Sequence, residues 1–424
     1  MNLRLHVRDR MLDALKPRAT LDAQNTWNLY GDIAWYGVLS GVAGAFLSVF
    51  VIRLGGSDTH VGLLSSLPAL TAILASLPGS RLVEREKKPL SILNLTAFLN
   101  RFGYLVIALV PFFLMTNRAD AIVILVALLA IPGAMANVAF TTMFGKAVAR
   151  ENRAHVVAIR NVWVGITCTL AAFFGGKFLD LVLFPINYQI LFGIAFAASL
   201  MSQYYLMRIR LPADAPAIAA RVRSEPGGAR NFVTMLRGNR KFTRFTFASF
   251  VFHWGLFFPA PLYSIYWVRV LQASDGWIGS FSMVASATTI VFYPLWGRFT
   301  ARRGNHPAAV VATAGLALYP LITAFAPSVE WILFVSFLGG VFSSGFSLAF
   351  FNTLLEVCPE QNRASYIAVY NILVNVAVFV APLLATSLTM IFGIHAMLLL
   401  GAALRALGAL AFWLQRDNPA VAAR

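Results

Sequence analysis

Asp32 is the one carboxylate lying well inside any of the long apolar runs of this 424-residue chain. Three arginines, Arg101, Arg160 and Arg405, share such surroundings. A charge at the centre of a bilayer costs roughly 2.5–3.5 kcal/mol on insertion scales, so a side chain kept there has a partner or a task. Asp32 with Arg160 or Arg101 allows two readings: a structural ion pair, or a carboxylate that takes up and releases a proton as its surroundings change. Arg405 has no acid at matching depth. Its partner is then a backbone carbonyl, water or an anionic group of a solute. His253 and Trp254 stand in an aromatic stretch with Phe250, Phe252, Phe257 and Phe258. A lone histidine there is either a satisfied hydrogen-bonding group or a proton-coupling one, and the rings offer stacking surfaces for an apolar or ring-bearing solute.

The elements carrying these residues are read from composition. Apolar residues make up 59% of the chain and charged residues 12%, against about 45–50% and 25% in soluble domains. The apolar residues fall in runs of about 20, enough to cross a hydrocarbon core as helix, and they lack the alternation of a barrel. Twelve spans are predicted, at 29–53, 61–83, 90–115, 120–145, 156–177 and 186–207, then 244–267, 277–297, 307–326, 330–355, 365–389 and 394–414. This is an all-α polytopic membrane protein of two six-helix halves, 28–207 and 244–415. Residues 208–243, broken by Pro212, Pro216 and Pro226, form the linker between them. Residues 1–27 are a basic tail, either a surface helix or a flexible segment; no signal peptide is expected. Residues 416–424 form a second tail. Cys168 lies in a run and Cys358 in a loop, so no disulfide is implied.

The halves are legible as a repeat. Asn152, Arg153 and Asn161 return as Asn362, Arg363 and Asn371 at an offset of 210. Asp58 and Gly62 return as Asp275 and Gly279 at an offset of 217, where Tyr36 also faces His253. Fixed offsets of this kind mark a duplicated unit. On the fourth span Gly133 and Asn137 match Ser343 and Ser347 on the tenth, and Thr141 extends the first series at the same four-residue spacing. Small or polar residues at that spacing form one helix face, which either packs closely or lines a cavity.

Charge sets the orientation. Of 34 lysines and arginines, only Arg53, Arg118, Lys177 and Arg269 fall in segments on the side opposite the N-terminus. This asymmetry places both termini in the cytoplasm and the chain in the cell (inner) membrane. The net charge of +17 then reflects attraction to anionic lipid headgroups, and no nucleic-acid partner is needed.

Twelve helices in two halves with a basic central linker resemble the major facilitator superfamily of secondary transporters. That family carries a G-x-x-x-D-R-x-G-R-R/K loop between the second and third helices, repeated between the eighth and ninth. Here Glu84 and Arg85 match the acid–base pair, with Ser80 and Lys87 in place of glycines. In the second copy Gly297, Arg302 and Gly304 fit, and Ala301 replaces the acid. The resemblance implies that these loops form a cytoplasmic gate, the carboxylate being favoured by the positive end of a helix dipole. It also implies that the first, fourth, seventh and tenth helices line the cavity, which gathers Tyr36, Gly133, Asn137, Thr141, His253, Trp254, Ser343 and Ser347 there. Arg405, on the twelfth span, joins the candidate cavity residues as a partner for an anionic solute group. The proline-containing fifth-helix signature of many drug antiporters is unmatched.

The expected activity is secondary transport of a small organic solute by rocking of the halves, coupled to protons. An exchanger of an anionic solute using Arg101 and Arg405 is the alternative, and a non-transporting sensor a third. A GxxxxGKS/T loop, a metal cluster and a nucleophile–base pairing are all missing from the sequence, so neither an enzyme nor a cofactor is expected, and the chain is expected to act as a monomer. Tags at the N-terminus, within 208–243 and at the C-terminus should all be reached only from the cytoplasm. A linker tag labelled from outside intact cells would contradict the two-half topology.

Overall fold

A computed structural model describes residues 20–85, 89–211, 238–359 and 363–415. They form twelve helical segments: α1 (Leu21–Arg53), α2 (Asp58–Arg85), α3 (Pro89–Phe113), α4 (Arg118–Ala147), α5 (Arg153–Leu181) and α6 (Ile186–Met207), then the interrupted α7 (Arg240–Val270), α8 (Asp275–Arg303), α9 (Asn305–Ala324), α10 (Val329–Val357), α11 (Arg363–Phe392) and α12 (Ile394–Trp413). Among the described residues no strand occurs, and eleven helices are long and apolar enough to cross a membrane. The end of the bundle where α1 starts is termed inner here, after the sidedness that the charges predict, and the opposite end outer.

Two elements differ from the sequence reading. α1 begins at Leu21, eight residues ahead of the expected 29, because its polar first turns find partners inside the protein. Asn25 is buried and donates to the carbonyls of Ala147 (3.2 Å) and Arg210 (2.8 Å), while Asp22 accepts from the Ala149 amide at 2.9 Å. Asp32 therefore sits about three turns into its helix rather than one. The seventh span is not one regular helix. It runs as Arg240–Phe257, breaks at Pro259, resumes as Ala260–Ile265 and ends in a π-helical turn, Tyr266–Val270. Proline lacks the N–H that would bond four residues back, so the helix interrupts there.

The neighbour relations repeat. In the first half α1 packs on α5 and α6, α4 on α2 and α3, and α3 on α6; in the second, α7 packs on α11 and α12, α10 on α8 and α9, and α9 on α12. The halves meet through two helix pairs, α5 with α8 and α2 with α11, which the same two-fold relation exchanges. Helices are not drawn together in lipid by hydrophobicity, so they approach where small residues let backbones touch. A methyl added at Gly279 of α8 would lie 2.4 Å from the Ala172 carbonyl oxygen of α5, and one at Gly176 of α5 would lie 2.4 Å from the Asp275 carbonyl oxygen. At the matching seam, a methyl on Gly62 of α2 would lie 2.3 Å from Thr386 Oγ1 of α11. These contacts cluster towards the outer end.

Further inwards the same faces separate. Counting back in helical steps from Gly176, the α8-facing stripe of α5 passes Gly165, whose added methyl would sit 3.5 Å from Ile290, and reaches Asn161, which is exposed. Its repeat mate Asn371 on α11 is exposed in the same way. Replacing Gly279 with leucine should force α5 and α8 apart at the outer end at a cost of about 1–3 kcal/mol. A cysteine reagent applied from the outer side should then label residues along this seam faster than in the wild type; an unchanged rate would show that the close approach is not needed for closure.

Candidate functional site

The buried charges of the first half form one cluster. Asp32 Oδ1 accepts from Ser202 Oγ at 2.7 Å and from Arg101 Nη2 at 3.3 Å, while Oδ2 accepts from Arg160 Nη1 and Nη2 at 3.3 and 3.4 Å. Both arginines named from the sequence thus hold Asp32 together, not as alternatives. Each is anchored more tightly elsewhere. Arg160 donates to the Leu29 carbonyl at 2.6 Å and lies 4.7 Å from the Phe140 ring centre. Arg101 donates to Ser202 Oγ at 2.6 Å and to Gln203, and stacks 5.8 Å from the Tyr36 ring. Gln203 is fixed in turn by Asn94. Three buried charged residues therefore carry a net positive charge of one, and Arg101 Nε has no acceptor among the described residues. Ser202 and Gln203 were missed in the sequence because polar residues near the end of an apolar run carry no signal of their own.

Arg405 solves a different problem. It is buried and meets no acid among the described residues. Its Nε donates to the Gly255 carbonyl at 2.8 Å and Nη1 to the Leu316 carbonyl at 2.8 Å; Nη2 reaches Leu256 O at 3.3 Å and Tyr263 Oη at 3.1 Å. Gly255 lies four residues before Pro259, and Leu316 four before Pro320. Each carbonyl would otherwise lack its helical partner, since proline has no N–H to give. One guanidinium thereby satisfies two carbonyls that prolines leave open, at the interruption of α7 and inside α9, and the backbone carbonyl is one of the partners foreseen for it. His253 is likewise engaged locally. Its Nδ1 pairs with the Ser249 carbonyl at 2.7 Å, and the rings of Phe257, Phe346, Phe350 and Tyr370 surround it with centres 5.4–6.3 Å away. The neighbouring Trp254 indole N–H finds no acceptor among the described residues.

A second site, unforeseen from the sequence, closes the outer end. Arg53, in the last turn of α1, donates from Nε to Asp275 Oδ1 in the first turn of α8 at 3.0 Å and from Nη2 to the Ala273 carbonyl at 3.1 Å, with Nη2 also 2.9 Å from Asp275 Oδ1 as an ion pair. Arg269, in the last turn of α7, pairs with Asp58 in the first turn of α2 and with the Gly56 carbonyl. Each arginine thus binds the opposite half. Asp58 with Asp275 and Gly56 with Ala273 correspond at the repeat offset of 217, and Arg53 with Arg269 at 216. These are twin latches related by the internal two-fold. Each carboxylate also gains from the positive end of its helix dipole. Tyr188 Oη strengthens one latch with a 2.7 Å bond to Asp275, and Asp180 of α5 adds a third crossing by accepting from the Gly276 amide at 3.0 Å. The repeat showed the two aspartates as a pair. It did not show which arginine each meets, because Arg53 is close to Asp58 in sequence and yet pairs across the seam with Asp275.

The remaining expected residues are spread. Gly133 turns towards α3, where an added methyl would lie 2.9 Å from Asn100. Asn137, Thr141 and Ser347 are exposed, with Ser343 half-buried and Thr141 Oγ1 donating to the Asn137 carbonyl at 2.9 Å. Asn152 donates to Asp22 Oδ2 at 3.0 Å instead of to nearby backbone. Arg153 binds the Val148 carbonyl at 3.1 Å and that of Gly145, tying the start of α5 to the end of α4. Glu84 and Arg85 are the last two positions of α2 and Arg363 the first of α11; their side chains, and Asn362 altogether, lie outside the described residues. Gly297 is within α8, Arg302 is exposed at its end, and Gly304 takes φ +87° to turn the chain into α9. The Asp32 cluster, the Arg405 anchor and the latches are thus three separate constellations.

No curated protein matches the sequence. Among solved structures, the nucleoside transporter NupG superposes with a TM-score of 0.72 at 12% identity, over 94% of this chain and 100% of that one. A bacterial homologue of the human lysosomal transporter Spinster, inward-facing and unoccupied, gives 0.66 at 14% identity, over 95% and 100%. A D-xylose–proton symporter gives 0.69 at 15% identity, over 92% and 97%. At these identities the likeness establishes the fold alone. The sequence profile of the Major Facilitator Superfamily matches residues 34–266 and 245–424, and the chain belongs to that superfamily.

Proposed function

We propose that the chain is a secondary transporter of a small organic solute, working by alternating access, with halves 28–207 and 244–415 rocking as bodies and the linker 208–243 and both tails in the cytoplasm of a cell with this protein in its inner membrane. The observation that carries the reading is the pair of two-fold-related latches at the outer end, set against the exposure of Asn161 and Asn371 further inwards. A partly exposed ion pair contributes about 0–1 kcal/mol, and about 1.4 kcal/mol shifts a two-state equilibrium tenfold. Two such latches suit a gate that must hold one state and still open in every cycle. A scaffold with no cycle would gain nothing from weak, symmetric contacts between halves.

Proton coupling is assigned to Asp32. Loss of its charge would leave no arginine without an acceptor, because Leu29, Ser202 and Gln203 hold the guanidiniums independently. The cluster can therefore change charge without collapsing. Exchange of an anionic solute is the second reading, favoured by the net positive charge there and the unpaired Arg101 Nε. Arg405 gives it less support, its donors being spent on carbonyls and Tyr263.

A thermal-shift screen against charged and neutral metabolites supplies the solute, since binding to the folded state raises apparent stability. In proteoliposomes Asp32→Asn should abolish accumulation driven by a pH gradient and leave solute exchange measurable; undiminished accumulation would remove Asp32 from coupling. Arg53→Asp should slow transport by misplacing the outer gate, and adding Asp275→Arg should restore most of the rate. Failure of the swap, with both variants folded, would make the latch a passive contact.

A further inference from the structure

A recess of about 440 Å³ opens at the inner end, between the start of α1 and the end of α6. Trp27 and Asn28 of α1, Tyr205 and Met207 of α6, and Arg208 and Arg210 beyond it form its walls. It lies on the outside of the first half, away from the seam, and owes nothing to the transport reading.

The chain positions both arginines deliberately. α6 ends at Met207, and Ile209 is turned into the hydrophobic cluster with Leu29 and Leu206. With the residue between them turned in, Arg208 and Arg210 are both turned out and exposed. Asn25 clamps this segment, donating to the Arg210 carbonyl at 2.8 Å and accepting from the Arg210 amide at 3.0 Å. Arg208 is steadied by Tyr204, whose Oη accepts at 2.9 Å and whose ring centre lies 5.1 Å from the guanidinium. Neither arginine meets a carboxylate among the described residues, unlike Arg53, Arg101, Arg160 and Arg269. Asp22, the acid closest along α1, spends its two oxygens on the Ala149 amide and Asn152. The result is a pre-arranged pair of forked donors beside a recess with no counter-charge among the described residues.

Guanidinium forks match phosphate oxygens in geometry and charge. The rim decides where the phosphate comes from. Trp27, Tyr204 and Met207 are 37%, 49% and 64% exposed, an aromatic and apolar band at the level where helices leave the hydrocarbon. Anionic lipids are drawn to basic residues on this side of a membrane. We propose that the recess is a binding site for the phosphate headgroup of an anionic phospholipid, with its acyl chains running along the exposed faces of α1 and α6.

Native mass spectrometry of the purified full-length protein tests this, with phosphatidylglycerol, phosphatidylcholine and inorganic phosphate as probes. The wild type should retain phosphatidylglycerol in preference to phosphatidylcholine. R208Q/R210Q should bind it about 30-fold more weakly, the loss expected for two basic side chains near a lipid surface, while R208K/R210K, which keeps the charge, should lose much less. Equal retention by the wild type and R208Q/R210Q, both melting at the same temperature without lipid, would overturn the site. Displacement of the lipid by millimolar inorganic phosphate would overturn the lipid assignment and make this a site for a soluble phosphate compound.

Discussion

A polar group surrounded by helices and lipid must find its partner within the protein, and this constraint arranges the whole molecule. Leaving one unpaired costs free energy that a membrane helix cannot recover from solvent. Asp32 meets it by drawing on α3, α5 and α6 at once, through Arg101, Arg160 and Ser202. Arg405 meets it in the opposite sense, by supplying donors to the carbonyls of Gly255 and Leu316 that Pro259 and Pro320 leave open. A buried arginine without an acid would suggest a substrate site on charge alone. The chemistry here is that of a fastener between two proline-containing helices. Its removal would strand backbone acceptors in α7 and α9 together.

The duplicated architecture places these solutions asymmetrically. Packing relations and latches obey the internal two-fold, because both halves must form the same bundle and close on each other. Away from the latches, the buried charges do not obey it: among the described residues the first half holds an aspartate between two arginines, the second Arg405 and an aromatic nest around His253. The features that repeat are thus those by which the halves pack and meet, and the buried charges are particular to each half. The twin latches have the geometry for such a movement. Each joins the end of one helix to the start of another across the seam, at the end where glycines bring α5 against α8 and α2 against α11.

Much of this was legible in the sequence. The sixth span, 186–207, coincides with α6, and the other apolar runs end within a few residues of their helices apart from the start of α1 and the end of α8, which continues past 297 to Arg303. That start was hidden because hydropathy sees Asp22, Asn25 and Asn28 as loop, whereas hydrogen bonds to neighbouring segments carry them as helix. The break in α7 was signalled by Pro259 and Pro261, but the π-turn after it has no sequence signature. For the site, residue type and depth singled out Asp32, Arg101, Arg160 and Arg405 correctly as buried charges. Their partners were less accessible. Choosing both arginines for Asp32, or two particular carbonyls for Arg405, requires knowing which helix faces which. The latches escaped for the same reason, although all four of their charged residues stood at the ends of spans.

The central claim is that the halves rock about closed outer contacts, so that opening one end closes the other. Spin-label distances test it most directly, with one pair at Leu183 and Phe325 on the outer end and one at Arg150 and Ala301 on the inner end, all exposed positions. Cys168 and Cys358 are replaced by alanine for labelling. When Arg53 and Arg269 are both changed to glutamine, the outer distance should lengthen and the inner distance shorten in the same fraction of molecules. Lengthening at the outer end with an unchanged inner distance would mean that the latches merely hold a local flap, and would contradict rocking.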